Sequence, residues 1–275
     1  MSGKYIPPRL AVLLAAKCTK SIIVCRHTSK RTVIIGWDRK NDTFMVGQWL
    51  KGKVYPYRSD VSPDGSHWIY FAMDARNNTY TCVARTPYLK AVDFYTKGDA
   101  WNGGGLFLSD KAYWLNDGGL SHKEQRRESG LSMERTDPFE NYEECQTGED
   151  PFIYFRRLER EGWLRRKHVK GDRFNEEYTF TKRINRRYHL IKIFHAGLNH
   201  PIGRGAYYET YQIYDEKSKE TVEYPEWEWA EVDNNRVIWA EGGKLFAAEN
   251  NKLLKEKTEL FDAAKLQFEL LEAPY

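Results

Sequence analysis

The sequence contains no apolar run long enough to cross a membrane. The longest run covers residues 10–16, whereas a spanning helix needs about 20 residues. Cysteine is also scarce, with four residues in 275 and no paired spacing of the kind that binds metal. Such a low cysteine content predicts free thiols and a reducing, cytoplasmic location. The N-terminal residues lack the apolar segment of a signal peptide, which favours the same location.

Recognisable catalytic signatures are missing as well. The sequence has no GxSxG, HExxH, P-loop or GxGxxG motif. His195 and His200 lie five residues apart, but no acidic or cysteine partner is adjacent to them. We therefore predict no metal site and no cofactor, and we favour a protein without enzymatic activity. The 43 basic and 39 acidic residues give a net charge of +4, which is too small to indicate nucleic-acid binding by itself.

The chain is instead rich in strand-forming residues. Aromatic residues make up 15% of it, and short runs of Val, Ile, Tyr, Phe, Trp and Thr alternate with turn residues about every ten positions. Windows with helical periodicity are rare, and residues 120–133 and 250–260 are the plausible ones. This pattern predicts an all-β protein.

Three predicted hairpins share one design, in which a short strand leads through a polar turn into a strand with a central tryptophan. The turns are residues 62–65, 109–111 and 233–235, and the tryptophans are Trp68, Trp114 and Trp239. Because the three tryptophans occupy equivalent positions, we expect each to be buried. The glycine triplet 103–105 precedes one of these strands. It favours close backbone packing over a phosphate-binding loop.

The hairpins belong to a longer repeat. Predicted first strands begin near residues 9, 55, 104, 177 and 227, so the intervals are 46, 49, 73 and 50 residues. Periods of 40–50 residues with four strands each are typical of propeller blades. We predict a single domain, residues 1–275, folded as a five-bladed β-propeller of four-stranded antiparallel blades. An insertion at about residues 117–150 lengthens the third blade. A two-sheet β-sandwich is the alternative fold.

Two segments resemble known families. Residues 62–65, followed by an aromatic strand, resemble the first hairpin of blades in WD-repeat and related propellers, and residues 212–227 resemble the outer half of such a blade. The segment 98–105 is similar to a motif in bacterial proteins of unknown activity. The resemblance implies a propeller whose inter-blade loops share one face. In known propellers that face is commonly the binding surface.

The loops expected on that face contain aromatic and basic residues of the types that protein interfaces favour. We therefore predict a non-enzymatic binding or scaffold protein that recognises a protein partner through the loop face carrying the insertion. The predicted binding residues are Trp101, Asn102, Arg204, Trp227 and Trp229. No contact with a membrane is expected.

Two alternatives remain open at the level of sequence. A carbohydrate-active enzyme or lectin would bind a glycan at the channel mouth and would need paired carboxylates. The candidates for such a pair are Asp60, Asp99, Glu177 and Glu228, with Glu231 beside them. A weaker alternative is a nucleic-acid contact through the basic strands at residues 156–187, where Trp163 would stack on a base. The purely structural interpretation of these basic strands is that the acidic insertion packs over them.

Overall fold

The computed structural model describes residues 6–118, 122–139, 149–171, 175–198, 200–201, 204–250 and 256–275. The chain divides into two compact units. Unit 1 comprises residues 1–157 and 265–275, and unit 2 comprises residues 158–264. In both units β-strands make up most of the regular structure among the described residues, so the predicted all-β class is confirmed.

Unit 1 contains an open sheet in the order β1-β2-β3-β4-β5-β6-β7-β10, with antiparallel neighbours throughout. The strands are β1 (Arg9–Leu14), β2 (Lys20–Thr28), β3 (Arg31–Asp38), β4 (Thr43–Val61), β5 (His67–Asp74), β6 (Thr79–Arg85), β7 (Ala91–Lys97) and β10 (Lys123–Arg127). The 19-residue strand β4 pairs with β3 through its first half and with β5 through its second half. It therefore joins two sets of four strands into one sheet.

A smaller sheet of unit 1 has the order β11-β9-β8. It consists of β8 (Gly105–Ser109), β9 (Ala112–Leu115) and β11 (Ser132–Glu134), and β11 pairs with β9 in parallel. The helix α1 (Glu149–Arg160) follows, and the boundary between the units falls within it.

Unit 2 contains two open antiparallel sheets. The first has five strands, β12 (Leu164–Lys170), β13 (Glu176–Arg183), β14 (Tyr188–Ala196), β15 (Tyr207–Asp215) and β16 (Thr221–Tyr224). The second has four, β17 (Trp227–Asp233), β18 (Arg236–Glu241), β19 (Lys244–Glu249) and β20 (Thr258–Asp262). A single 3₁₀ turn, Ala263–Lys265, comes after β20.

Local sequence explains most of these strands. The continuous apolar runs in β2, β5 and β6 are buried on both faces of the unit 1 sheet. The 62–65 turn closes as predicted, because Gly65 adopts φ +69° and its amide donates to the Ser62 carbonyl at 2.8 Å. Asn234 plays the equivalent part in the 233–235 turn with φ +54°.

The three equivalent tryptophans are buried, as the repeat predicts. Trp68 is 0% exposed, Trp114 is 2% exposed and Trp239 is 5% exposed. Trp68 stacks on Tyr70 at a centroid distance of 4.2 Å inside the main apolar cluster of unit 1. The hairpin pattern therefore identified core positions correctly in both units.

The predicted third blade is wrong. Its expected third strand, residues 152–157, lies within α1, and its expected fourth strand is β12, which pairs with β13 of the next sheet. The helix has a clear start signal, because Asp150 and Pro151 stand in its first turn. The aromatic run after Pro151 resembles a buried strand when it is read without that signal. The closure of the sheets into a five-bladed ring stays a prediction.

The predicted insertion is also more structured than a peripheral loop. Its described part adds β10 to the edge strand β7 and β11 to β9. Ser129 donates to the buried carboxylate of Asp93 at 2.5 Å, and His122 is buried. Residues 119–121 and 140–148 lie outside the described residues.

The cysteines follow the prediction where they are described. Cys18, Cys25 and Cys82 are free thiols, and Cys145 lies outside the described residues. Burial raises the pKa of the Cys82 thiol to about 12, so this thiol stays protonated at neutral pH.

Candidate functional site

The loop at residues 98–104 connects β7 to β8 in unit 1, and we call it the Trp101 loop. Its residues 98–101 are exposed, and the Trp101 side chain is the most prominent of them at 68% exposure. Asn102 is half-buried, with φ +56°, and the two glycines after it are buried. The Trp101 indole is therefore exposed to solvent, while the glycines that lead into β8 are packed inside the unit.

The Arg58 side chain holds the backbone of the Trp101 loop in place. Its side chain is 7% exposed, and Nη1 donates to the carbonyls of Ala100 at 2.7 Å and Asn102 at 2.6 Å. Its Nε donates to the buried carboxylate of Asp150 at the start of α1. The guanidinium also lies 4.9 Å from the ring centroid of Phe71. Planar, forked donors suit this task, because one side chain must serve several acceptors.

A second set of contacts fixes the other arm. The Asp99 carboxylate accepts a hydrogen bond from the Trp101 amide at 2.8 Å and lies 3.1 Å from the Lys97 ammonium. The Thr79 hydroxyl donates to the Asp99 carbonyl at 2.6 Å. The hydrogen bond from Lys97 lowers the pKa of Asp99 below its ordinary value, so the carboxylate stays ionised and keeps both partners at neutral pH.

The glycine triplet is explained by close packing, as predicted. Gly103 and Gly104 adopt φ +90° and +75°. A Cβ atom at Gly104 would lie 1.9 Å from the Arg58 carbonyl oxygen, and one at Gly103 would lie 2.4 Å from the Phe71 ring. A side chain at either position would therefore push the loop away from Arg58.

Sequence reasoning missed a buried polar relay beneath the same loop. His122 Nδ1 lies 2.9 Å from Asp117 Oδ1, and its Nε2 lies 3.0 Å from the Thr81 hydroxyl. That hydroxyl accepts a hydrogen bond from the Gly104 amide at 2.9 Å. The hydroxyl–imidazole–carboxylate order matches a hydrolase triad, but Thr81 is 0% exposed. Because no substrate reaches a fully enclosed hydroxyl, we assign the relay to positioning the loop.

This arrangement requires a neutral imidazole that accepts a hydrogen bond from the Thr81 hydroxyl. Burial, together with the nearby Lys97 ammonium, lowers the pKa of His122 to about 4. Arg135 also forms a salt bridge with the Asp117 carboxylate. The neutral ring therefore donates through Nδ1 and accepts at Nε2 at neutral pH.

We expect the His122 imidazole to titrate with a midpoint near pH 4 in a two-dimensional NMR titration, with His122→Gln to assign the signal. Between pH 6.5 and 4 the unfolded chain binds a proton at this site that the folded chain does not. The stability that His122 contributes is therefore present above pH 6.5 and is lost as the pH falls toward 4. A midpoint at pH 6 or higher would contradict the buried neutral relay.

Two of the predicted binding residues are buried. Trp227 is 5% exposed and Trp229 is 7% exposed. Trp227 stacks between Tyr224 at 4.2 Å and Trp239 at 4.8 Å, so its indole packs the core of unit 2 and offers little surface to a partner. Arg204, also in unit 2, is half-buried, and its guanidinium lies 3.5 Å from the Pro225 carbonyl.

The predicted carboxylates occupy unlike environments. Asp60 is 0% exposed and accepts the Phe107 amide at 2.7 Å, so it ties β4 to β8 and is closed to a substrate. Asp99 belongs to the Trp101 loop of the same unit. In unit 2, Glu177 is exposed on β13 and pairs with His195 at 3.1 Å, whereas Glu228 is half-buried on β17.

The basic segment at residues 156–187 is divided by the fold. Arg156 and Arg157 are each 4% exposed, because α1 turns them into unit 1, where Arg156 lies 3.6 Å from the Phe152 ring centroid. Trp163 is 1% exposed and donates to Glu231 at 2.7 Å, so it cannot stack on a base. By contrast, β12 is exposed along its length except at Arg165.

Within the described ranges, no group of three or more His, Cys, Asp or Glu side chains is arranged to hold a metal ion. None of the described helices has the length and apolar character needed to cross a membrane.

Comparison with known proteins gives little guidance. No protein-family model matches the sequence, and no curated protein matches it significantly. The tricorn protease crystal structure is similar over 94% of this chain and 31% of its own, with 10% identity and a TM-score of 0.27. The GH74 enzyme of Niastella koreensis is similar over 90% and 37%, with 9% identity and a TM-score of 0.23. The chain thus spans about a third of these structures, and similarities at this level carry no argument.

Proposed function

We propose that the protein is a non-enzymatic binding module that recognises a protein partner through the Trp101 loop. The five-bladed propeller predicted from the repeat forms part of this proposal, with the β8, β9 and β11 sheet in the place of the third blade. The loop belongs to the predicted binding face and offers both exposed apolar surface and a fixed geometry. Trp227 and Trp229 have no part in the contact, because they are buried.

The exposed indole of Trp101 on a pre-organised loop is the observation that carries the proposal. Tryptophan is enriched among the residues that dominate binding energy at protein interfaces. The backbone beside Trp101 is already ordered by Arg58 and Asp99 before any partner arrives. Association therefore orders little more than the indole itself, which lowers the entropic cost of binding.

The surroundings of Trp101 indicate the chemistry of the partner surface. The Asn102 side-chain amide lies 3.4 Å from the Gly118 carbonyl, so the predicted insertion begins beside the loop. The Asp99 carboxylate, which accepts from the Trp101 amide, is 46% exposed. A complementary surface has an apolar pocket for the indole and a basic or amide group at its rim, where the carboxylate would meet it.

The test is a capture experiment with a photo-crosslinking amino acid at position 100, next to the indole. We expect the unaltered chain to crosslink one discrete protein in the source lysate, and Trp101→Ala to lose at least 90% of that crosslink, since interface tryptophans are worth about 2 kcal/mol or more. Met45→Ala is the matched control, because Met45 is also an exposed apolar residue of unit 1, at 51%.

The crosslink must also survive two treatments. Equal capture by Trp101→Ala and the unaltered chain would overturn the proposal. Loss of the crosslinked partner after nuclease treatment would favour a nucleic-acid contact, and competition by free sugars would favour a lectin. Both alternatives are thus outcomes of the same experiment.

The exposed strand β12 keeps the nucleic-acid alternative open as a second candidate function. Five of its seven residues are basic, namely Arg165, Arg166, Lys167, His168 and Lys170. His168 and Arg165 are partly committed to the Tyr178 ring, at 4.2 Å and 5.5 Å. If this strand binds a polyanion, the nuclease-sensitive capture depends on Lys167 and Lys170, persists in Trp101→Ala and falls steeply with salt.

A further inference from the structure

A cavity of about 520 Å³ lies in unit 1 beneath the C-terminal segment at residues 266–275. The strands β3 and β4 and the loop before β7 form its floor, and the C-terminal segment forms its roof. Its apolar lining includes Trp49, Leu50 and Leu89 on the floor and Phe268 on the roof. The volume falls within the range of small-molecule sites, which are mainly apolar with a few placed polar groups.

The roof is held in place by specific contacts. Gln48 Oε1 accepts the amides of Leu89 at 2.7 Å and Lys90 at 2.9 Å, while its Nε2 donates to the Leu271 carbonyl at 3.0 Å. The Tyr275 hydroxyl donates to the Lys90 carbonyl at 2.7 Å. The C-terminal segment is therefore tied to the sheet on one side of the cavity and at its own end.

The charges around the cavity are unbalanced. Arg31, Lys51 and Lys90 line it, against one carboxylate, Glu269. Within the described residues, none of the three cations forms a salt bridge. Arg31 instead lies 5.5 Å from the Phe268 ring centroid, and Lys90 lies 5.2 Å from that of Tyr275. An anionic group at this rim would gain charge-assisted hydrogen bonds at little cost.

Trp49 supplies a third observation. Its Nε1 is buried and has no hydrogen-bond acceptor among the described residues of the protein. The indole ring packs against Phe268 at 5.8 Å and His27 at 5.3 Å, so it is held in position. The indole ring therefore forms a fixed apolar wall of the cavity.

We propose that this cavity binds a monomeric aliphatic carboxylate. The apolar walls, with the Trp49 ring among them, take the chain, and Arg31 and Lys90 take the carboxylate. A neutral aliphatic ligand would leave the cations unused, and a cationic one would be repelled by them. The site is separate from the Trp101 loop, and the inference does not depend on the proposed partner.

The test is isothermal titration of the full chain with decanoate below its micelle-forming concentration. Decanol and decyltrimethylammonium serve as the neutral and cationic comparisons. We expect decanoate to bind saturably, decanol to bind about tenfold more weakly and decyltrimethylammonium not to bind, since a charge-assisted hydrogen bond is worth about a factor of ten. Arg31→Met and Lys90→Met should each weaken decanoate by about tenfold and leave decanol unchanged.

Two further variants keep the result interpretable. Lys111→Met is the matched control, because Lys111 is an exposed cation in the turn between β8 and β9 of the same unit, and it should bind decanoate normally. Trp49→Phe keeps an aromatic wall and should bind decanoate within about twofold of the unaltered chain. Absence of decanoate binding to the unaltered chain would overturn the proposal. Equal binding of all three ligands, or decanoate affinity unchanged in both Arg31→Met and Lys90→Met, would do the same.

Discussion

Replacing Arg58 with methionine is expected to lower the free energy of unfolding by about 3–5 kcal/mol, the usual cost of breaking a buried ion pair from one side. The substitution leaves the Asp150 carboxylate enclosed without its partner, and it removes the donor to the Ala100 and Asn102 carbonyls. Burial already raises the pKa of Asp150 despite the opposing effect of Arg58. Urea denaturation of the two chains measures the loss.

A double-mutant cycle separates the ion pair from the apolar packing of the arginine. Arg58→Met with Asp150→Leu should be more stable than Arg58→Met alone, because the double variant leaves no charge buried without a partner. Arg58→Lys is the matched control and should lose less than Arg58→Met. A loss below 1 kcal/mol for Arg58→Met, or additive effects in the cycle, would contradict a stabilising buried ion pair between Arg58 and Asp150.

The second large effect concerns the tryptophans of the repeat. Trp68→Ala, Trp114→Ala and Trp239→Ala should each cost about 3–5 kcal/mol, as expected when a buried aromatic side chain is truncated. Trp68 packs on Tyr70, and Trp239 packs on Trp227 and Phe246 at 4.8 Å and 5.8 Å. Thermal or urea unfolding gives the values. Losses under 1 kcal/mol at two of the three positions would contradict their common role.

Phenylalanine variants sharpen this prediction. The Trp68 Nε1 donates to the Tyr88 carbonyl at 2.8 Å, whereas the Trp114 Nε1 is buried without an acceptor among the described residues. Trp68→Phe should therefore cost about 0.5–1.5 kcal/mol more than Trp114→Phe, because it removes a hydrogen bond that Trp114 does not make. An equal cost at both positions would mean that ring packing alone decides their contribution.

The sequence by itself determined the all-β class, most strand positions and the hairpin turns. These features depend on local chemistry: alternation with period two marks a strand, and Gly65 or Asn234 allows the positive φ that its turn requires. The burial of Trp68 and Trp239 also followed, because equivalent positions in a repeat face the same way. The start of α1 could also be predicted from local sequence, since Asp150 and Pro151 signal the first turn of a helix.

Only the tertiary structure decided which residues are presented and which are enclosed. Both Trp101 and Trp227 are predicted from the sequence as binding residues, yet one is 68% exposed and the other 5%. The difference arises because Trp227 meets Tyr224 and Trp239 from neighbouring strands, whereas Arg58 and Asp99 hold the backbone of the Trp101 loop with its indole outward. Thr81 and His122 are 41 residues apart in the chain. Contacts over such separations depend on how sheets and loops pack, and no local sequence pattern encodes them.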